Sequence, residues 1–285
     1  MAITAAQVNE LRQKTGAGMM DCKKALTESN GDFEKAIEIL RKKGAAVATK
    51  RAEKSANEGL VLTKISDDKK TGFMVEINCE TDFVAKSEDF NKLADAALKA
   101  VQTDKPSSVQ ELLEKNTNLK NYLTDVMGKI GEKIEISRFA IVTAPDGIVV
   151  DYVHLGSKLG VLVKFDDAKG VNSEFDSLGK DIAMQVAAMK PLCVYREEVP
   201  ADIVNKELEI YKELSRKEGK PEQMLEKIAL GRLNKFYQEN CLAEQAFIKD
   251  NAKSVNDLLK EFNSKHGSQI KISLFKRFHL SDEKK

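Results

Sequence analysis

The chain has 285 residues, of which 42% are hydrophobic and 32% are charged, and its formal net charge is +1. A charged fraction above the usual value of about 25% fits long, solvent-exposed helices in a soluble protein of more than one domain. The net charge selects neither nucleic acid nor an anionic membrane as partner, and 6% aromatic residues without tryptophan disfavour stacking platforms for bases.

The first 50 residues predict a small module of three helices. Thr4 is a suitable N-cap for the first helix, the sequence TGAG at 15–18 ends it, Asp32 caps the third helix, and Gly44 is predicted to stop it. Three short helices bury only a marginal core, so such a module is typical of partner binding. One apolar face of the second helix is predicted to carry Met19, Cys22, Ala25 and Leu26.

Residues 51–58 are predicted to form a polar linker, and an internal repeat follows it. Gly59 and Gly147 are 88 residues apart, and so are Gly72 and Gly160. In the first copy Gly59 and Gly72 lie in two predicted strands around a turn, and Gly147 and Gly160 lie in the matching strands of the second copy. A helix follows each pair of strands. These helices share an F-x-x-L face, which is formed by Phe90 and Leu93 in the first copy and by Phe175 and Leu178 in the second.

The repeat divides the remaining chain into two related β-β-α subdomains, 59–145 and 146–280, before a charged tail at 281–285. The segment 133–144 is expected to add a strand to the first subdomain, and 273–280 is expected to close the second. The fold class is therefore α+β, with an N-terminal three-helix module that resembles a ubiquitin-associated domain and a duplicated core.

The second subdomain carries an insertion at about 200–240 that predicts an antiparallel helical hairpin. A proline at each arm's start and apolar stripes along both arms suit a coiled coil. The hairpin either projects outward and contacts a partner or packs on its own domain, and the residues leave both readings open. The stripes consist of Val204, Leu208, Tyr211 and Leu214, and of Leu225, Ile228 or Ala229, Leu233 and Phe236.

Signatures of covalent chemistry are missing from the sequence. It contains no GxxxxGK[ST] phosphate loop, no GxSxG nucleophile turn and no HExxH pair. The four cysteines, Cys22, Cys79, Cys193 and Cys241, are far apart and form no CxxC pair, so we expect reduced thiols in a cytoplasmic protein. Cys79, with His154 as its base, is the candidate nucleophile of the sequence. A structural role for the Cys79 thiol is the favoured interpretation. We predict no catalytic residue, no metal site and no cofactor.

The segment EINCETDFVAK, residues 76–86, raises a separate question, because it places Phe83 directly after an acidic triplet. At the offset of 88 its strand half matches the second copy, whereas the half containing TDFVAK does not. Since duplicated copies share what the fold needs, the turn after the strand is a candidate functional site. Phe83 either folds back onto the core or points outward beside Asp82, with Ser87 capping the next helix.

Two long segments carry a resemblance. ELRQKTGAGMMDCKKAL, residues 10–26, and EINCETDFVAK resemble the two signatures of the bacterial elongation factor Ts family, in the family's order. The resemblance implies a guanine-nucleotide exchange factor for elongation factor Tu that performs no covalent chemistry. Some members carry a further helical module after the last strand, and this chain has only the charged tail there. The alternative is a non-catalytic adaptor or chaperone-like protein that binds through the module and the hairpin.

The resemblance also implies residue roles. The turn Thr81, Asp82, Phe83 and Val84 is the element expected to enter the partner's GTPase domain and displace its Mg²⁺. The other expected contacts with the partner are Arg12, Met19, Met20, Lys23, Ile130, Gly131 and His154, with one of the two methionines packed inward. The expected partner is elongation factor Tu, GDP-bound or nucleotide-free, without nucleic acid or membrane, and a homodimer or a 2:2 complex is left open.

Overall fold

The structure, a computed structural model, describes residues 3–168 and 172–282 and has the predicted α+β class. It begins with three helices, α1 (Ala5–Thr15), α2 (Met19–Glu28) and α3 (Phe33–Arg51). The Thr4 hydroxyl caps α1 as predicted, and the side chain of Gln7 accepts from the Thr4 N–H in return. The Asp32 carboxylate caps α3 by accepting a hydrogen bond from the Lys35 N–H.

The first sheet has the antiparallel order β1 (Glu58–Ile65), β2 (Thr71–Cys79) and β3 (Ile134–Thr143). The third strand confirms the prediction for 133–144. Four helices connect β2 to β3, and only the second of them was predicted, since the segment of the first was interpreted as a turn and the last two were not foreseen. They are α4 (Asp82–Ala85), α5 (Glu88–Asp104), α6 (Val109–Lys115) and α7 (Thr117–Ile130).

The predicted end of the third helix at Gly44 is wrong, because α3 continues to Arg51. Gly44 lies where α3 crosses α7. A Cβ atom on Gly44 would be 2.5 Å from the Thr124 carbonyl oxygen, and one on Gly128 would be 2.8 Å from the Gly44 Cα. A glycine is therefore needed at 44 for the close approach of two helices, and it does not serve as a cap.

The second sheet has the same antiparallel order, formed by β4 (Gly147–Val153), β5 (Leu159–Asp166) and β8 (Lys271–His279). β8 confirms that the C-terminal segment adds a strand. Helix α8 (Ser173–Met189) follows β5, and later come β6 (Ala246–Phe247), β7 (Asp250–Ser254) and α11 (Val255–His266). The charged tail lies outside the described residues from 283 onward, while the Asp282 carboxylate accepts from the His279 N–H at 3.0 Å.

The strand registers of the two sheets are related by the same offset of 88. Gly59 pairs with Asn78 in the first sheet, and Gly147 pairs with Asp166 in the second. The β-bulges fall at equivalent places as well, between Glu76 and Ile77 in β2 and between Lys164 and Phe165 in β5. A bulge is a specific local irregularity, so its repetition indicates duplication of one ancestral unit.

Helices α5 and α8 correspond in the same way, at an offset of 85. Each has 17 residues, beginning after the N-cap Ser87 or Asn172 and ending at a left-handed lysine, Lys105 or Lys190. Phe90 and Phe175 are fully buried at equivalent positions. Each helix therefore packs its apolar face, as predicted, against the sheet of its own copy.

The two sheets pack against each other through the glycines that revealed the repeat. A Cβ atom on Gly72 would lie 2.6 Å from Val149 Cγ1, and one on Gly160 would lie 2.6 Å from Val61 Cγ1. Val61 and Val149 are themselves 88 residues apart. The two glycines thus permit reciprocal close contacts, with a shared apolar core between the sheets.

The insertion forms a helical hairpin of α9 (Ala201–Lys217) and α10 (Leu225–Asn240), as predicted. Leu225, Ala229 and Leu233 are buried, whereas Leu214 on the opposing stripe is 42% exposed. The base of the hairpin brings together two of the four free cysteines. Cys193 and Cys241 are distant in sequence, yet their Sγ atoms lie 3.8 Å apart, because the two chains leading into and out of the hairpin pair there.

Candidate functional site

The segment after β2 forms one short helical turn, α4, and we refer to residues 81–87 as the Phe83 turn. The Phe83 side chain is 82% exposed, so it does not fold back onto the core. Val84, its neighbour, is half-buried against the core of the first sheet. Of the two readings that the sequence left open, the structure shows the outward one for Phe83.

A carboxylate from outside the segment fixes the start of the Phe83 turn. Glu132 accepts hydrogen bonds from the Thr81 N–H at 3.1 Å and from the Thr81 hydroxyl at 2.8 Å. The same hydroxyl oxygen accepts from the Val84 N–H and so caps α4. Because charged hydrogen bonds are stronger than neutral ones, this pair of bonds gives the turn a defined position.

The far side of the turn is closed by local hydrogen bonds. The Ser87 hydroxyl donates to the Val84 carbonyl at 2.8 Å, and the Asn91 amide donates to the Ala85 carbonyl at 3.2 Å. Asp82 pairs with Lys86 at 2.7 Å, and this hydrogen bond lowers the pKa of the Asp82 carboxyl. With its backbone fixed at both ends, the turn presents an exposed aromatic ring from a pre-organised position.

Ile130 and Gly131 are brought close to this turn because they immediately precede Glu132. Gly131 ends α7 in the left-handed conformation, with φ of 81°, and Ile130 packs partly on the core. A Cβ atom on Gly131 would meet no atom within 4 Å, so the space beside this half-buried residue is open. The structure therefore places these two residues beside Thr81.

The turn between β4 and β5 carries Lys158, whose pKa responds to the charge of Asp82. Lys158 donates to Glu58 at 2.6 Å, and Glu58 first, with Asp82 contributing, raises the pKa of Lys158. In the same turn His154 is exposed, and its Nδ1 lies 2.8 Å from the Tyr152 hydroxyl. Leu155 follows at 95% exposure. His154 thus lies on the same exposed turn as Lys158, together with an apolar residue, Leu155, that the sequence analysis missed.

The remaining predicted contact residues lie on the N-terminal module. Arg12 and Lys23 are exposed, and so are both methionines, with Met19 57% and Met20 74% accessible. The prediction that Met19 lies on the packing face, with one methionine inward, is therefore wrong. Because Gly18 is the N-cap of α2, Met19 is in the first turn of that helix, ahead of the α1 and α3 contacts that bury Cys22.

Cys79 has the properties of a structural thiol. Its Sγ donates to the Thr81 carbonyl at 3.2 Å, and burial first, then the charge of Glu132, raises its pKa to about 12. A nucleophilic cysteine needs the opposite shift. Within residues 3–168 and 172–282, no group of three or more His, Cys, Asp or Glu side chains could hold a metal ion, and no helix is long and apolar enough to cross a membrane.

The family model described as elongation factor TS matches residues 80–282. The elongation factor Ts of Chloroherpeton thalassium is 46% identical over 288 aligned residues, covering 99% of each chain. That of Chlorobium limicola is 47% identical over 287, covering 98% of this chain and 99% of the relative, and that of a Clostridium botulinum strain is 45% identical over 285, covering 98% and 93%.

The chain belongs to the elongation factor Ts family. Membership confirms the resemblance of the two signature segments and makes the chain a translation elongation factor of protein biosynthesis.

Two features of the elongation factor Ts site escaped sequence reasoning, for different reasons. Leu155 could have been found, because at the offset of 88 it stands where the first copy has Asp67, a polar turn residue. Glu132 could not have been found in this way. Its bonds to Thr81 depend on the return of α7 toward β2, and the sequence analysis predicted neither α6 nor α7.

Proposed function

We propose that the chain is a guanine-nucleotide exchange factor for elongation factor Tu. The observation that carries the proposal is the Phe83 ring, 82% exposed on a turn whose start is bonded to Glu132. Single exposed apolar side chains are common, but one held in a fixed position on a hydrogen-bonded turn can be covered by a partner at little cost in ordering. Family membership supplies the partner class, because elongation factor Ts proteins act on elongation factor Tu.

In the proposed mechanism Phe83 and Asp82 enter the GTPase domain of elongation factor Tu and displace its Mg²⁺. This ion requires near-ideal octahedral geometry and bridges the nucleotide's phosphates, so a small shift of its ligands removes much of the hold on GDP. Burial of one phenylalanine side chain contributes about 1.5–3 kcal/mol, which helps to stabilise the shifted state. No covalent bond is made or broken in the exchange.

The other predicted residues are proposed to bind elongation factor Tu. Met19 and Met20 present adjacent, flexible apolar side chains on the N-terminal module, and methionine adapts well to the shape of a partner. Arg12 and Lys23 add positive charge on the same module. Ile130 and Gly131 beside the Phe83 turn, and His154 in the turn between β4 and β5, extend the contact area. We place the activity in the cytoplasm, where elongation takes place.

Exchange has a thermodynamic signature that an adaptor lacks. If the chain weakens GDP binding to elongation factor Tu, GDP must weaken the binding of the chain by the same factor. An adaptor or chaperone-like protein requires no such coupling. The affinity of the purified chain for elongation factor Tu, titrated with and without GDP, therefore separates the two functions.

The direct test is release of fluorescent GDP from purified elongation factor Tu. We expect the chain to accelerate release in a saturable way, and GDP to lower the affinity between the two proteins. Unchanged release at saturating concentrations would contradict the proposal, and equal affinities with and without GDP would favour the adaptor.

A further inference from the structure

An ion pair connects the N-terminal module to the residue just before the Phe83 turn. Arg51 is the last residue of α3, and its Nη1 donates to Glu80 Oε2 at 2.8 Å. The second oxygen of Glu80, Oε1, accepts from the Lys133 N–H at 2.7 Å. The side chain of Glu80 is 15% exposed, so its charge is partly removed from water and the geometry of both bonds matters.

Two helices converge on the turn through these bonds. α7 ends directly before Glu132, which bonds to Thr81, and Lys133, which bonds to Glu80. α3 ends at Arg51, and the Lys133 side chain donates to the Ala52 carbonyl at 3.1 Å. Along their length the two helices are in close contact at Gly44 and Gly128. Any rotation of α3 against α7 must therefore strain the bonds at Glu80.

The repeat shows that this arrangement is not required by the duplicated fold. At the offset of 88, Glu80 corresponds to Ala168, a buried residue without a charge. The second copy thus keeps the strands, the bulge and the helix without any carboxylate at this position. The ion pair belongs to the copy that carries the Phe83 turn and the N-terminal module.

We propose that Arg51 and Glu80 are positioning residues that couple the N-terminal module to the Phe83 turn. Contact of the module with the partner fixes the orientation of α3, and the Arg51–Glu80 pair transmits that orientation to Thr81 and hence to Phe83. This inference rests on the proposed exchange function. The Arg51–Glu80 pair is expected to affect the maximal rate of exchange, whereas the exposed methionines of the module contribute to the affinity for elongation factor Tu.

The test uses Arg51→Ala in the full-length chain, because this change leaves Glu80 bonded to Lys133. Arg51→Lys restores the charge. Arg41→Ala is the matched control, since Arg41 lies on the same helix and pairs with Asp125 on α7 at 3.8 Å, away from the turn. GDP release from elongation factor Tu is measured over a range of concentrations, which gives the maximal rate and the half-saturating concentration separately.

We expect Arg51→Ala to lower the maximal rate about three- to tenfold, since a misplacement of about 1 Å at a reacting site can cost up to roughly a hundredfold. The half-saturating concentration should change less than about twofold, because the residues of the N-terminal module that bind elongation factor Tu are left in place. Arg51→Lys and Arg41→Ala should stay within about twofold of the wild type in both quantities. Thermal unfolding of each variant shows that the fold is retained.

A second experiment tests whether Arg51 acts through Phe83. In a chain that already carries Phe83→Ala, the added Arg51→Ala change should reduce the maximal rate by less than about twofold, because residues acting as a unit are not additive. An equal reduction in both backgrounds would overturn the inference. So would a wild-type maximal rate for Arg51→Ala, or an effect confined to half-saturation, while the wild-type chain accelerates release. A wild-type chain that fails to accelerate release would instead overturn the exchange function itself.

Discussion

Thr63 donates a hydrogen bond from Oγ1 to Asp151 Oδ2, at 2.5 Å, and the two residues are separated by the repeat offset of 88. Contact between equivalent residues places them near an axis that relates the two copies. Two backbone bonds show the same symmetry, since the Val61 N–H donates to Ser157 and the Val149 N–H donates to Lys69. The two sheets are thus related as in a dimer with both halves in one chain.

The Thr63–Asp151 bond should contribute measurably to stability. A hydrogen bond to a charged acceptor contributes about 1.5–3 kcal/mol, so Thr63→Val and Asp151→Ala should each lower the free energy of unfolding. In a double-mutant cycle measured by urea denaturation, the coupling between them should be about 1.5–3 kcal/mol. Strictly additive effects would show that the bond does not connect the two sheets.

Gly72 and Gly160, which each face a valine of the other sheet, should not tolerate an added methyl group. Gly72→Ala and Gly160→Ala place a carbon 2.6 Å from a valine of the other sheet, and we expect each to cost about 1–3 kcal/mol in unfolding free energy. Gly231 in α10 is the matched control, because a Cβ atom there meets nothing within 4 Å. Gly231→Ala should stabilise the chain by up to about 1 kcal/mol through helix propensity. Equal effects at all three positions would contradict the described sheet packing.

The buried thiols should make stability fall at alkaline pH. The pKa of Cys79 is raised from 9.0 to about 12 in the folded chain, so the folded state holds its proton where the unfolded state has lost it. This contribution is fully present below pH 9 and is lost as the pH rises toward 12. Cys79→Ala should flatten the decline of unfolding free energy measured between pH 9 and 11. An identical slope in wild type and variant would contradict the shift.

Local signals made parts of the fold predictable. Thr4, Asp32 and Ser87 cap the helices that they were expected to cap, because the capping hydroxyl or carboxylate acts within three residues. The repeat was visible for a similar reason, since Gly72 and Gly160 meet the same steric demand in each copy.

The errors have a common cause in contacts between distant segments. Gly44 was interpreted as a helix end because its partner, Gly128, lies on α7, which was not predicted. Cys193 and Cys241 are 48 residues apart in sequence, and no sequence pattern indicated that the hairpin between them brings them together. The Arg51–Glu80 pair likewise joins segments that the sequence pattern assigned to a linker and a turn. Comparison of the two copies identified the Phe83 turn as a candidate site and the resemblance gave it a role, while the residues that hold it required the structure.

The most direct test of the account is the maximal rate of GDP release from elongation factor Tu with Phe83→Ala. Because the ring is 82% exposed, its removal should leave thermal stability unchanged. Burial of the ring in the complex contributes about 1.5–3 kcal/mol of free energy, and its loss should lower the maximal rate about tenfold or more. Ile248→Ala, at another exposed apolar residue, should have no effect. A wild-type maximal rate for Phe83→Ala would contradict the central claim that this ring drives exchange.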